Sequence, residues 1–137
     1  MVVLDTSALL LWTLDPDEVP KAAEDAIADA DQIVVSSISI REISLKVKRG
    51  KLVIPIRIDE YVDRLGRING LEIFPVDVQA WLENVNLDWA HRDPADRMIV
   101  ALAERLDCPL ITSIRPFAHP PLPFVKNPAS IGARIRL

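Results

Sequence analysis

Cysteine is almost absent: the 137 residues hold one, Cys108. No internal disulfide can form, which fits a reducing cytoplasm. No neighbouring pattern suggests a base that would activate the thiol, so Cys108 reads as a small buried hydrophobe. Histidine is nearly as scarce. His91 and His119 form no recognisable ligand pair, which with a single cysteine argues against zinc, and His91 reads as a loop residue. No run reaches the ~18 continuous apolar residues of a membrane span. The amino terminus, MVVLDTSALLLW, has no basic leader and carries Asp5, so it is not expected to act as a signal peptide. Internal repeats and low-complexity linkers are missing too. So are acids in residues 108–137, where Arg115, Lys126, Arg134 and Arg136 are the only charges.

Apolar residues, by contrast, make up 50% of the chain, enough to bury a core in a single domain spanning residues 1–137. The formal charge of −4 hides an uneven distribution, because residues 1–107 hold twelve basic against twenty acidic side chains, a balance of −8. An acidic body argues against tight non-specific nucleic-acid binding, which rests on many phosphate contacts, but it leaves room for a local basic patch.

Short apolar strands alternate with helices. Val2 to Leu4, Ile33 to Ser36, Leu71 to Phe74 and Pro109 to Thr112 read as strands. Thr6 or Ser7 can cap a helix beginning at Ala8. Helices are expected at Lys21–Ala30, Ser39–Arg49 with Gly50 closing it, Ile58–Ile68 and Val76–Asn84. The last helix starts at Pro94, with Met98, Ile99, Leu102 and Leu106 on one face. Beyond the strand at Pro109 to Thr112, five prolines discourage regular helix, although Leu122 to Val125 can add an edge strand. The alternation predicts an α/β domain with a mainly parallel sheet.

Four acids fall where strands end or helices begin, the rim at which open α/β sheets gather ligands. Asp5 closes the first strand, Glu42 lies one turn into a helix, and Asp93 and Asp96 open the helix in HRDPADRMIVALA. Each also has a structural reading. Ser39 and Glu42 fit a capping box, and Asp93, Pro94 and Asp96 fit a capped helix start. Asp5 is harder to explain so, because a carboxylate at the end of an apolar strand needs a partner to stay charged. Together the acids suggest a site for a hard cation, Mg²⁺ or Mn²⁺, which prefers oxygen ligands.

MVVLDTSALLLW, SSISIREISLKVKRGKL, HRDPADRMIVALA and PLITS, in this order, resemble the PIN domain, and more narrowly the VapC-type ribonuclease toxins of type II toxin–antitoxin systems. The resemblance covers nearly the whole chain and implies a three-layer α/β/α fold. It matches the family's acids to Asp5, Glu42 and Asp96 as metal ligands, Asp93 to an auxiliary carboxylate, and Thr112 to the hydroxyl after the last core strand. It also implies a cytoplasmic homodimer and a VapB-type antitoxin partner. The family places a further acid two residues beyond the threonine, where this chain has Ile114. One carboxylate fewer weakens cation binding.

The resemblance implies metal-dependent hydrolysis of RNA phosphodiesters, with Asp5, Glu42, Asp96 and Thr112 as the catalytic set. Lys46, Lys48, Arg49, Arg97 and Arg115 are candidate RNA contacts, though the run KVKRGK also suits a solvated helix end. Trp12, Trp81 and Trp89 read as core or interface residues. Two rivals remain: a weakened PIN-like module that binds RNA or protein without cutting, which Ile114 keeps open, and a metal-dependent phosphatase or DNA nuclease using the same acids.

Overall fold

The computed structural model describes residues 1–88 and 93–112, together with the backbone of a strand at 134–136. Its elements run β1 (Val2–Leu4), α1 (Thr6–Leu14), a 3₁₀ turn (Pro16–Glu18), α2 (Lys21–Asp29), β2 (Ile33–Ser36), α3 (Ser37–Lys48), α4 (Ile58–Gly66), β3 (Leu71–Phe74), α5 (Val78–Asn86), α6 (Pro94–Leu106), β4 (Leu110–Thr112) and β5 (Arg134–Arg136). Every neighbouring pair of strands is parallel, in the order β3-β2-β1-β4-β5.

Side chains alternate across the sheet, as the period-two geometry of a strand requires. Val3, Val34 and Leu110 enter one core, with Ala80 of α5 and Met98, Ile99 and Leu102 of α6. Val2, Leu4, Ile33, Val35 and Ile111 enter the other, with Leu9 of α1, Ile27 of α2, Ile43 of α3 and Leu65 of α4. Both faces are therefore covered, which is why these strands read as continuous apolar runs. Each fully buried aliphatic side chain contributes about 1.5–3 kcal/mol relative to exposure. This three-layer α/β/α arrangement is the one expected from the sequence.

The strand order also explains where the helices lie. From β1 the chain steps outward through β2 to β3, with the connecting helices α1 to α4 on one face. It then reverses direction to place β4 on the far side of β1, and α5 and α6 lie on the opposite face. Crossovers of one hand demand this change of face whenever the direction of travel reverses.

Several local expectations are corrected. The cap of α1 is Asp5, in extended conformation, and not Thr6 or Ser7. Helix α3 starts at Ser37 with Ser36 as its cap, and Ser39 is wholly buried inside it, so the capping box of Ser39 and Glu42 does not form. Helix α4 ends at Gly66, short of Ile68, and α5 is shifted to Val78–Asn86 because Asp77 caps it by accepting from the Ala80 amide. Gly50, at φ +69°, closes α3 in the left-handed region, where a glycine is least strained. The strand β5 was not anticipated, and the expected edge strand at Leu122 to Val125 lies outside the described residues. Among the described residues no helix is long and apolar enough to cross a membrane.

Candidate functional site

The strand order reverses between β1 and β4, and the carboxyl ends of strands at such a point are where open parallel sheets hold ligands. Asp5 leaves β1 there and Thr112 ends β4 there. Both are buried, at 3% and 0% exposure. Thr112 Oγ1 donates to Asp5 Oδ2 at 2.6 Å, and the Ala8 amide donates to Asp5 Oδ1 at 2.7 Å. The backbone of Asp5 adds a third tie, its amide donating to the Ile111 carbonyl at 3.0 Å. Two donors, one on each oxygen, hold the Asp5 carboxylate in a fixed orientation.

The next residue carries the site outward. Thr6 Oγ1 donates to Glu42 Oε1 at 2.5 Å and lies 2.9 Å from the Ser39 hydroxyl. Adjacent residues of the LDTS turn thus hold both Thr112 and Glu42. Burial pushes the Glu42 carboxyl above the ordinary glutamate range, and the charges of Asp93 and Asp96 push it the same way, while the Thr6 hydrogen bond and Lys46 pull it down. Asp93 and Asp96 therefore lie within electrostatic reach of Glu42 although more than fifty positions separate them in the chain. Asp93 also caps α6, its Oδ1 accepting from the amides of Ala95 and Asp96 at 2.9 and 3.0 Å. The two readings of Asp93, as a cap and as part of an acidic group, are compatible.

A cleft of about 730 Å³ opens between α3 and the start of α6, with Glu42 and Asp93 on its wall. Arg41, Lys46 and Arg49 line it too, as does Trp81 of α5. The α3 residues that line the cleft recur every three or four positions, so one helix face presents an acid and three cations. Of the cations singled out in the sequence, Lys46 and Arg49 line the cleft, whereas Lys48 does not. Arg97 turns toward α5, its Nη2 donating to the carbonyls of Asn84 and Leu87 at 2.7 and 2.9 Å. Arg115 lies outside the described residues, as do Ile114, His91, His119 and Trp89. Sequence reasoning missed Thr6, Ser39 and Arg41. The helical spacing of Arg41, Leu45 and Arg49 was the available signal for Arg41, but no local pattern reveals the reach from Thr6 to Glu42.

The donors suit a hard cation in chemistry, being carboxylate and hydroxyl oxygens with no sulfur or imidazole among them. Among the described residues no group of three or more Asp, Glu, His or Cys side chains is drawn together as a metal-binding set. The Glu42 carboxyl is raised first by burial and then by the charges of Asp93 and Asp96, and a cation nearby would offset the second of these. Cys108 takes no part, because burial pushes its thiol up to about 11. Trp12 packs at the edge of the core, but Trp81 is 48% exposed.

A family model of the PIN domain matches residues 2–118. A chain of a toxin–antitoxin complex from Klebsiella pneumoniae shares the fold with a TM-score of 0.58 and 19% identity, over 98% of this chain and 96% of that one. A chain of FitAB bound to an IR36 DNA fragment gives 0.55 and 16% identity, over 83% of this chain and 85% of that one. No curated protein matches in sequence. The parallel sheet, the Asp5–Thr112 pair at its switch point and a family match spanning most of the length lead to one assignment: the chain belongs to the PIN domain family.

Proposed function

We propose that this protein is a metal-dependent ribonuclease toxin of the VapC type, a cytoplasmic homodimer restrained by a cognate VapB-type antitoxin. The observations that support the reading are the Asp5–Thr112 hydrogen bond at the β1–β4 switch point, the bond from the next residue, Thr6, to Glu42, and the electrostatic reach of Asp93 and Asp96 to Glu42. The PIN family match supports nuclease chemistry, and the likeness to a chain of a toxin–antitoxin complex supports an antitoxin partner.

In this reading Asp5 and Asp96 hold Mg²⁺ or Mn²⁺, with Glu42 acting through water. Such an ion, when bound, supplies a water nucleophile at neutral pH and neutralises charge on the phosphoryl oxygens. Thr112 and the Ala8 amide fix the Asp5 carboxylate, so no reorganisation is needed when substrate arrives. Thr6 holds Glu42 Oε1, which sets the carboxylate plane and lets Oε2 orient the attacking water. Arg41, Lys46 and Arg49 bind backbone phosphates along the cleft and offset the repulsion between RNA and the acids.

The test is RNA cleavage in Mg²⁺, in Mn²⁺ and in chelator, comparing the native chain with Asp5→Asn and Asp96→Asn. Both substitutions should abolish cleavage and relieve growth arrest, and undiminished cleavage in both would reject the assigned site. Ile114 favours a second reading, a PIN module that binds RNA with little cutting. In that case the native chain binds RNA without cleaving it, and Ile114→Asp tightens Mn²⁺ binding and raises cleavage.

A further inference from the structure

Helix α5 buries a polar side chain. It turns Val78, Trp81, Leu82 and Val85 outward, whereas Asn84 is only 7% exposed and faces the start of α6. A buried amide costs free energy unless its polar atoms find partners. Asn84 Nδ2 donates to the carbonyl of Pro94, the first residue of α6, at 2.9 Å. The return contact comes from α6, where Arg97 Nη2 donates to the carbonyls of Asn84 and Leu87 at 2.7 and 2.9 Å. Three hydrogen bonds thus cross between the end of α5 and the start of α6, running in both directions.

The bonds answer a need of α5. The last carbonyls of a helix have no partners within it. Helix α5 has no basic residue in its last turn and no glycine just beyond it, and its Asn84 carbonyl accepts the Leu87 amide only at a long 3.4 Å. A guanidinium placed there satisfies those carbonyls and opposes the negative end of the helix dipole. Swinging Arg97 out to a phosphate would strip two carbonyls of a donor, and Arg97 does not line the cleft that Arg41, Lys46 and Arg49 share. What the bonds grip is the acidic turn. Pro94 directly follows Asp93, and Arg97 directly follows Asp96.

We infer that Arg97 and Asn84 are positioning residues, a clamp between α5 and α6 that sets where Asp93 and Asp96 stand and so how tightly the acidic site binds a divalent cation. The inference rests on the metal-binding part of the reading above, and it removes Arg97 from the residues that meet RNA. Small displacements matter at such a site, because groups that hold metal ligands in place commonly carry about 10–100-fold of the affinity.

Calorimetry with Mn²⁺ alone on the full chain reads the clamp without substrate. Arg97→Lys keeps the charge but not the planar fork, and Asn84→Ser removes the amide that holds Pro94. Each should weaken Mn²⁺ binding about tenfold, with unchanged stoichiometry and far-ultraviolet spectrum. At fixed, subsaturating Mn²⁺ both should lower kcat for RNA cleavage, leave KM for RNA unchanged, and recover as Mn²⁺ is raised. RNA binding separates positioning from contact. In an Asp5→Asn background, Arg97→Ala should keep the native salt slope, whereas a lost phosphate contact would lower it by about 0.7. Should the alanine variant not fold, Arg97→Gln removes the same charge and serves in its place. A lowered slope, or Mn²⁺ affinity unchanged in both Arg97→Lys and Asn84→Ser, overturns the clamp and leaves the metal site standing. A native chain that binds no Mn²⁺ overturns the metal-binding reading and the clamp together.

Discussion

Thr112 and Asp5, 107 residues apart in the chain, are joined by a 2.6 Å hydrogen bond across the switch point of the sheet. The bond ties β4 to the helix start that follows β1 and supplies a donor to a carboxylate that burial has stripped of water. Thr112→Val keeps the shape and removes the hydroxyl. A buried acceptor that loses its partner costs about 1–3 kcal/mol, more where it is charged. Urea unfolding of the valine variant should show a loss of that order, and Thr112→Ser should recover most of it. An unchanged urea midpoint in the valine variant would mean that the hydroxyl does not hold Asp5 in place.

Glu42 gives the metal-free chain a pH dependence whose sign is fixed. Burial, then the charges of Asp93 and Asp96, raise its carboxyl above the ordinary glutamate value of 4.5, against the Thr6 hydrogen bond and Lys46. Between the ordinary and the raised value the native state binds more protons than the unfolded one. Stability contributed by this group is thus complete at acid pH and falls as pH rises through that window. Other carboxylates titrate there as well, so the readout is the difference from Glu42→Gln measured in chelator. The native chain should lose stability relative to the glutamine variant as pH rises. A difference that is flat, or that grows the other way, would place Glu42 in water.

The parts of the fold that were legible in the sequence are those fixed by local chemistry. Val2–Leu4 and Ile33–Ser36 are strands because both faces of the sheet are covered, which leaves an apolar run in the chain. The start of α6 was legible because Asp93 and Pro94 supply a cap and a preset φ within two residues. Glu42 misled for the same reason that makes caps readable. Ser39 and Glu42 have capping-box spacing, but Ser36 caps the helix and Ser39 lies inside it, and the Glu42 carboxylate instead accepts from Thr6, far off in sequence. The strand β5 is three residues long with an arginine at each end, too short and too charged to stand out from a proline-rich tail. Periodicity can locate a stripe such as Val78, Trp81, Leu82 and Val85, but not the neighbour that covers it.

The cleft divides the cations of α3 into those expected to meet RNA and those expected not to. Binding of a labelled single-stranded RNA, measured by anisotropy in an Asp5→Asn background that prevents cleavage, should weaken in Arg41→Ala, Lys46→Ala and Arg49→Ala. Each lost phosphate contact should also lower the salt slope of binding by about 0.7. Lys48→Ala removes the same charge as Lys46→Ala from the same helix, but from outside the cleft lining, and should bind nearly as the native chain does. Equal losses at Lys46 and Lys48 would show that the RNA responds to the charge of the helix end and does not follow the cleft.

Asp93 can be made to separate its two roles. As the cap of α6 it accepts two amide hydrogen bonds, which an asparagine side-chain oxygen can also accept. As a member of the acidic group it supplies a charge, which asparagine lacks. Asp93→Ala should cost about 0.5–2 kcal/mol through loss of the cap, whereas Asp93→Asn should leave stability nearly unchanged. If Asp93 supports metal binding from behind the ligands, both variants should lose cleavage by about 10–100-fold. Full activity in the asparagine variant would reduce Asp93 to a cap and leave Asp5, Glu42 and Asp96 to hold the ion. The comparison is clean because Pro94 keeps the first helical residue in place in all three proteins, so a change in cleavage without a change in unfolding cannot come from fraying of α6.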